Sequence, residues 1–232
     1  MLNEEAREWL KHGKEMDSDY ASQVDDYIRH LEEKCLVQEK YQIKKNLFLL
    51  AETTPEIAMQ FRVRVLSEEF KDRVNPTDGV VYPEIAELSE VTQKKFRLLI
   101  EEALGQKILP KVTFARMMTA GVSVPHRIHD DHIMGQYSAH LYLSKEWPAG
   151  SGTAFWEYKG DRTLSWSGQT DIPHNDKYMW KQYALAPAAY GRLLIHAAEL
   201  WHSAEPTQGF GTSKQDARLV LTCFFDLAPE EE

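Results

Sequence analysis

The sequence changes its pattern at Gly105, and this change limits the folds that are open to the chain. After Gly105 the apolar residues fall in short segments, rich in aromatic and β-branched side chains and separated by Gly, Pro, Ser or Asp. The segments are 111–120, 136–144, 152–158, 162–167, 192–198 and 218–226. Short strands joined by turns, without a helical segment of comparable regularity, are typical of an antiparallel sandwich or barrel, the jelly roll among them. The second half is therefore predicted to be a β domain.

The first hundred residues have a mostly helical pattern instead, with apolar residues three and four positions apart among charged ones. The segments with this pattern are 4–16, 18–37, 55–74 and 89–105. Thr54 and Pro55 suit an N-cap and a first helical position, and Gly105 suits a helix C-terminus. Between the last two segments, residues 78–85 begin with Asp-Gly, which predicts a loop or a short hairpin. We predict that these helices pack against the rest of the chain.

Composition limits the class of protein. A chain of 232 residues that is 43% hydrophobic can bury one sizeable core, so a single domain over 1–232 is expected. The apolar runs are too short to span a bilayer and the N-terminal residues are charged, so we expect a cytoplasmic protein with no membrane partner. Cys35 and Cys223 lie far apart, which leaves His and carboxylate as the metal-type ligands. The net charge of −9 argues against a main task of neutralising nucleic-acid phosphates, although it permits a local basic groove.

Residues 126–132 carry an unusual density of metal-type ligands, with three histidines and two aspartates. In an extended segment side chains alternate, so His129 and Asp131 would face the same side. Such a pair is half of a chelate. A second histidine from elsewhere would complete a site of two imidazoles and one carboxylate, which leaves open positions at Fe(II). His202 is the candidate for that histidine.

Other ligand sets are open on the same pattern. The cluster permits chelates through His126, Asp130 or His132, which could instead surround the metal ligands or face a substrate. His196 is an alternative to His202, although a histidine in the middle of an apolar strand is usually a satisfied core residue.

A second His-x-Asp pair, His174 and Asp176, lies in the polar segment 167–182, which we predict to be a surface loop or a lid. Only 26 residues separate Asp176 from His202, which is too little chain for the strands that would have to lie between them. We therefore prefer the pair at 129 and 131.

Arg218 stands at the start of the last apolar segment, sixteen residues after His202. An arginine isolated in a buried strand is costly unless it pairs with an anion, and a dicarboxylate co-substrate would provide one through a bidentate contact. The alternative is an edge-strand arginine that extends its head group to a partner at the surface.

In order and spacing these residues resemble the Fe(II)/2-oxoglutarate-dependent dioxygenases, and within that superfamily the prolyl-4-hydroxylase-like branch. The resemblance covers roughly residues 108–226. It is carried, in chain order, by His129 with Asp131, SAHLYLS (138–144), GSGTAFW (150–156), GRLLIHAAELWHS (191–203) and Arg218. The turn reads Gly-Ser-Gly-Thr where the family has Gly-Gly, and Arg218 stands where many prolyl hydroxylases have lysine. The second departure is one reason not to carry over proline as the substrate.

The resemblance implies an α+β fold, in which a double-stranded β-helix (jelly-roll) core over 108–228 is buttressed by a mainly helical region over 1–107. It implies that His129, Asp131 and His202 bind Fe(II) and that Arg218 holds the far carboxylate of 2-oxoglutarate. Further contacts to the co-substrate are expected from Tyr142 and Thr153, and contacts to the substrate from Arg116, His126 and His132. O2 would be the second co-substrate, with ascorbate as a supporting reductant.

The expected function is an oxygenase that couples decarboxylation of 2-oxoglutarate to succinate and CO2 with hydroxylation or oxidative demethylation of a substrate. A small molecule or a peptide is favoured over a nucleic acid as the substrate, and the oligomeric state is left open. The alternative from another class is a non-catalytic, cupin-like module that binds a metal or a ligand. A cupin dioxygenase without a keto-acid co-substrate is a third interpretation.

Overall fold

The structure is a computed structural model, and it describes residues 48–74, 79–123, 128–159 and 177–229. The helices predicted at 4–16 and 18–37, the strand predicted at 162–167 and most of the polar segment 167–182 lie outside the described residues.

The described residues contain two helices and ten strands. They are β1 (Phe48–Glu52), α1 (Pro55–Ser67), β2 (Lys71–Val74), β3 (Val81–Glu87), α2 (Glu90–Leu104), β4 (Ile108–Met118), β5 (Tyr137–Tyr142), β6 (Gly152–Tyr158), β7 (Trp180–Pro187), β8 (Arg192–Ala197), β9 (His202–Glu205) and β10 (Arg218–Leu227). A short 3-10 turn, Lys177–Met179, precedes β7.

Within this part of the chain the strands form two antiparallel sheets. The larger sheet has the order β1-β8-β5-β10-β4-β3-β2 and the smaller one the order β7-β6-β9. The sheets meet face to face, because the Tyr142 hydroxyl on β5 lies 2.8 Å from the Thr153 hydroxyl on β6. Phe48 of β1 stacks on Phe155 of β6 with ring centroids 5.0 Å apart. This is the predicted double-stranded β-helix, and it confirms the expected fold class.

Alternation along β10 separates the core from the space between the sheets. Leu219, Leu221, Cys223 and Phe225 point to one face and are almost completely buried in the main core. The alternate residues point to the other face and line a cavity; they are Arg218, Val220, Thr222 and Phe224. Because the side-chain period of a strand is two, the apolar core positions also fix which residues reach that cavity.

The two described helices cover the core face of the larger sheet. Helix α1 is capped by Thr54, whose hydroxyl accepts a hydrogen bond from the Ile57 backbone N–H at 3.3 Å. Helix α2 ends at Gly105, which adopts a left-handed φ of 69°. Both ends are where the cap residues predict them, and buried Phe61 and Phe96 join the helices in one core cluster.

The prediction of a mostly helical first half is wrong for part of the described residues, since β1, β2 and β3 all belong to the larger sheet. A short apolar run such as that of β1 does not distinguish a strand from a buried helix. All four residues of β2 are exposed, so backbone pairing with β3 holds this strand without an apolar face. Over its described residues, 79–85, the loop or short hairpin predicted at 78–85 is part of that β2–β3 hairpin.

Two strands of the smaller sheet were not predicted either. Strand β7 begins inside the segment 167–182 that was expected to be a loop or lid, and most of its residues are exposed or only partly buried. Strand β9 has four residues, too few to show an alternation of its own. No helix in the described part of the chain is long and apolar enough to cross a membrane.

Substitution of Phe96 by alanine tests the contact between helix α2 and the larger sheet. Phe96 is fully buried and packs edge to face on Phe61, with ring centroids 5.9 Å apart. We expect Phe96→Ala to lower the free energy of unfolding by about 3 to 5 kcal/mol, because it leaves a cavity. The control is Val91→Ala on the exposed side of α2, with an expected change within about 0.5 kcal/mol. Equal urea midpoints for the two variants would contradict this packing.

Candidate metal centre

A cavity of about 510 Å³ lies between the two sheets. Alternate residues of β4, β5 and β10 form its floor, and the hairpin β2–β3 contributes one wall. The opposite side comes from Thr153 on β6 and from His202 and Ala204 on β9. Strand pairing places these residues together, since Thr153 faces Ala204 in register and Phe155 faces His202.

The connection from β4 to β5 enters this cavity because its backbone is fixed to β9. His129 and His202 form an antiparallel bridge, with N···O distances of 3.0 Å and 2.8 Å. The Asp131 N–H donates to the Ala198 carbonyl at 2.7 Å. These hydrogen bonds hold the His-x-Asp segment beside the second histidine.

The side chains of His129, Asp131 and His202 converge in the cavity. Asp131 Oδ2 lies 3.3 Å from His202 Nε2, and Asp131 Oδ1 lies 3.7 Å from His129 Nε2. One potential ligand atom from each residue lies within 4.8 Å of the others. The three residues chosen from the sequence are therefore near enough to hold one metal ion.

The electrostatics of Asp131 and His202 suit a cation. Burial by itself would raise the pKa of Asp131, but the hydrogen bond with His202 and the charges of His129 and His202 hold that pKa well below its usual value. His202 Nδ1 donates to the Leu200 carbonyl at 2.8 Å, which directs Nε2 towards Asp131. Burial lowers the pKa of His202, but Asp131 outweighs this effect and the net pKa is raised. A metal cation bound here would replace the proton that His202 Nε2 shares with the carboxylate.

A second group of ligand atoms, from His140, His196 and His202, also lies within 4.8 Å. His196 Nδ1 donates to the Ala197 carbonyl at 2.9 Å, so His196 Nε2 accepts from His140 Nε2 at 3.2 Å. His140 Nδ1 then accepts from the Thr222 hydroxyl at 3.2 Å. Burial lowers the pKa of His140 to about 3 and lowers that of His196 as well, so both rings are neutral. The two neutral rings hydrogen-bond each other.

This arrangement places His196 where the sequence analysis expected a satisfied core histidine, because the residue is buried and does not line the cavity. His140 does line the cavity, and it was missed as a site residue. Its signal in the sequence is the alternation of β5, which puts His140 on the same face as Tyr142.

The other histidines of the dense cluster are placed differently. His132 Nδ1 hydrogen-bonds the Asp130 carboxylate, and neither residue lines the cavity. The structure therefore does not bring His132 to the substrate position that was predicted for it. His126, together with the alternative pair His174 and Asp176, lies outside the described residues.

Arg218 lies in the same cavity with two hydroxyl groups. It is 5% exposed and donates from Nη1 to the Pro206 carbonyl at 2.7 Å, which rules out the surface alternative. Burial lowers its pKa to about 10, so the side chain is a cation at neutral pH. Tyr142 and Thr153, which hydrogen-bond each other, also line this space. Burial raises the pKa of Tyr142 to about 12, so it is a neutral phenol that can donate a hydrogen bond.

Known proteins resemble this chain in fold, and none matches it in sequence. No model of a known protein family matches the chain, and no curated protein matches it either. A prolyl hydroxylase from Trichoplax adhaerens, solved in complex with a hypoxia inducible factor peptide fragment, matches with a TM-score of 0.52 at 12% identity, over 90% of this chain and 94% of that chain. EvdMO1 matches with a TM-score of 0.52 at 12% identity, over 94% of this chain and 62% of that chain.

A third match is SnoN, a non-heme alpha ketoglutarate dependent epimerase from nogalamycin biosynthesis. It has a TM-score of 0.49 and 14% identity, over 78% of each chain. At these identities the likeness is one of fold, and the first two matches agree with the predicted fold class.

Metal titration of single variants distinguishes the two groups of ligand atoms. We expect Asp131→Ala and His129→Ala to lower Fe(II) affinity by at least about 100-fold, because even partners outside the ligand shell cost 10 to 100-fold. The controls are His196→Gln, which alters only the histidine group, and His132→Ala, which is outside the cavity. Both should bind one metal per chain with nearly unchanged affinity in anaerobic calorimetric titrations. Loss of binding in His196→Gln with retention in Asp131→Ala would place the metal in the histidine group instead.

Proposed function

We propose that this chain is an Fe(II)- and 2-oxoglutarate-dependent oxygenase that hydroxylates or oxidatively demethylates a substrate. The observation that carries the proposal is the presence, in one cavity, of His129, Asp131 and His202 together with buried Arg218. Arg218 donates to the Pro206 carbonyl, and Glu205 acts on it electrostatically without forming an ion pair. The site therefore combines a metal chelate with a cation that no described carboxylate pairs directly, and a keto-acid with a second carboxylate satisfies both.

The donor set suits Fe(II). Two imidazole nitrogens and one carboxylate are the ligands of mononuclear iron oxygenases, and they leave positions for exogenous ligands. When bound there, Fe(II) supplies the oxidising chemistry, in which 2-oxoglutarate loses CO2 to give succinate and one oxygen atom of O2 is inserted into a substrate C–H bond.

The protein's residues orient and hold these groups. The Leu200 carbonyl holds the ring of His202 through Nδ1, and Ser138 donates a long hydrogen bond to Asp131 Oδ2 at 3.4 Å. At the other end of the site, Arg218 binds the distal carboxylate of 2-oxoglutarate, with the hydroxyls of Tyr142 and Thr153 as further donors. A fixed guanidinium fork and two hydroxyls match the geometry of a carboxylate.

Apolar side chains keep water away from this region. Phe114 and Met118 of β4 and Val220 and Phe224 of β10 line the same cavity as the ligands. Exclusion of water strengthens the pairing of Arg218 with a carboxylate and protects a reactive centre.

A small molecule or a peptide is the proposed class of substrate. The Trichoplax prolyl hydroxylase was solved with a bound peptide fragment, which shows that a protein of this fold can accept one. The net charge of −9 does not favour a nucleic acid. A metal-binding module without catalysis would not require a buried arginine in the cavity of its metal ligands, and this is the reason to prefer an enzyme.

Binding of 2-oxoglutarate tests the proposal directly. Under anaerobic conditions, the protein with Fe(II) and 2-oxoglutarate should show the visible absorption band of a chelated keto-acid. We expect Arg218→Met to raise the 2-oxoglutarate concentration needed for half of this signal by roughly 10- to 100-fold, because it removes a charge-assisted contact. Arg97→Met on helix α2, whose guanidinium lies 3.8 Å from Glu101 and outside the cavity, is the matched control and should behave like the unmodified chain.

Succinate formation from 2-oxoglutarate, with Fe(II), O2 and ascorbate, is the second readout and should be lost in Asp131→Ala. If iron binds but neither the absorption band nor succinate is observed, the chain is a metal-binding module. An equal loss of 2-oxoglutarate affinity in Arg97→Met would show that the effect of Arg218→Met is not local.

A further inference from the structure

A second arginine, Arg116, enters the cavity from the middle of β4. It faces Ile85 of β3 on one side and Val220 of β10 on the other, and Val220 in turn faces Tyr142 of β5. Opposite residues of antiparallel strands project to the same face of a sheet. All four side chains line the cavity, so Arg116 is part of its floor.

Arg116 forms no ion pair with a described residue, and Asp131 acts on it only through its charge. Its Nε atom is buried and makes no hydrogen bond. Its guanidinium lies over the ring of Tyr82, whose centroid is 5.2 Å from Cζ. A guanidinium whose buried nitrogen lacks an acceptor destabilises a protein, so the position of Arg116 in a cavity indicates a ligand that provides one.

The two arginines of the floor serve different ends of the cavity. Arg218 is opposite Met118 in register, so Arg116 and Arg218 are diagonal neighbours on adjacent strands. Arg218 extends to the Pro206 carbonyl and to the ring of Trp147. Arg116 extends instead to Tyr82 of the hairpin β2–β3. The Tyr142 hydroxyl, which is bonded to Thr153, acts electrostatically on Arg218.

Charge balance separates the two arginines as well. Glu205 acts on Arg218 and Asp131 acts on Arg116, but neither carboxylate forms an ion pair with its arginine. A 2-oxoglutarate dianion that binds Fe(II) and Arg218 leaves Arg116 without a directly bonded anion. One further anionic group, placed at Arg116, would complete this pairing.

The surroundings of Arg116 indicate what carries that charge. Tyr82, Ile85, Phe114 and Met118 line the cavity near it, and each offers an apolar or aromatic surface. Arg73 of β2 also lines the cavity but is paired with Glu87 at 2.8 Å, so one guanidinium fork is left for the ligand, and it matches one carboxylate. The fitting ligand has an apolar body and one carboxylate.

We propose that Arg116 binds the carboxylate of the prime substrate, and that this substrate is an apolar acid which lies between Asp131 and the hairpin β2–β3. This assignment rests on the proposed function, since it gives the other anion site to 2-oxoglutarate. It makes Arg116 the residue that selects acids over their uncharged analogues.

The test uses a matched pair of probes, 3-phenylpropanoate and 3-phenylpropanamide, which differ in charge and share an apolar body. Calorimetric titrations of the full chain, anaerobic with Fe(II), are performed with and without saturating 2-oxoglutarate. The acid should bind at least about tenfold more tightly than the amide, because it forms a charge-assisted pair with Arg116. Arg116→Met should remove this preference, and Arg116→Lys, which retains the charge, should keep part of it. The urea midpoint of each variant shows whether it is folded.

The affinity of each variant for 2-oxoglutarate shows which of the two arginines contacts the co-substrate. It should change by less than about threefold in Arg116→Met, and much more in Arg218→Met. A loss of 2-oxoglutarate affinity in Arg116→Met as large as in Arg218→Met would make Arg116 a co-substrate contact and overturn the assignment. Equal binding of acid and amide, or binding of neither, would also overturn it.

Failure of the proposed function gives a different result. In that case 2-oxoglutarate would not bind the unmodified chain, while an acid preference that depends on Arg116 would still be measured in the titrations without 2-oxoglutarate. Such a result would retain the anion site at Arg116 and reject the oxygenase.

Discussion

The backbone bridge between His129 and His202 is the interaction on which the site depends. It joins the connection between β4 and β5 to strand β9 of the smaller sheet through two short N–H···O hydrogen bonds. The backbone bonds, with the Asp131 N–H held by Ala198, determine where each of the three side chains starts. The hydrogen bond between Asp131 and His202 then orients the side chains within that frame. The candidate metal ligands are therefore held together by the fold itself.

The distribution of charged residues between the surface and the cavity also follows from the fold. The chain carries a net charge of −9, yet its cavity contains two partly or fully buried guanidinium groups and one carboxylate. Buried cations of this kind weaken a folded protein unless anions accompany them. An acidic surface with a basic interior cavity thus suits small anionic ligands that enter the cavity, and it disfavours broad contact with an extended polyanion. The pairing of Tyr142 with Thr153 supplies neutral donors at the Arg218 end, where a carboxylate accepts several hydrogen bonds.

Much of the fold and of the candidate site could be predicted from the sequence, namely the parts that are determined by residues close together in the chain. Thr54 and Gly105 mark helix ends because capping is decided within one turn, and the strand periodicity of 218–226 follows from one apolar face. The set of His129, Asp131 and His202 could be predicted because strand alternation and chain order restrict which residues can lie together. Strand β2 has no apolar face and β9 has four residues, so tertiary pairing alone defines them. His140 was missed because its role depends on His196 and Thr222, which only the sheet register brings near.

Strand β10 specifies the fold through the residues of one face and the candidate site through the residues of the other. Its core positions fix the register, because a slip by one residue would turn Leu219 and Leu221 into the cavity and Arg218 into the core. The irregularity between Phe224 and Phe225, beside Pro110 of β4, comes after these positions and leaves their register intact. The main core therefore rests on one face of the strand, and Val220 and Phe224 add apolar packing on the cavity face. Since Arg116 and Arg218 lie on that cavity face, their substitution by methionine removes charge from the site while the apolar residues that determine the sheet stay in place.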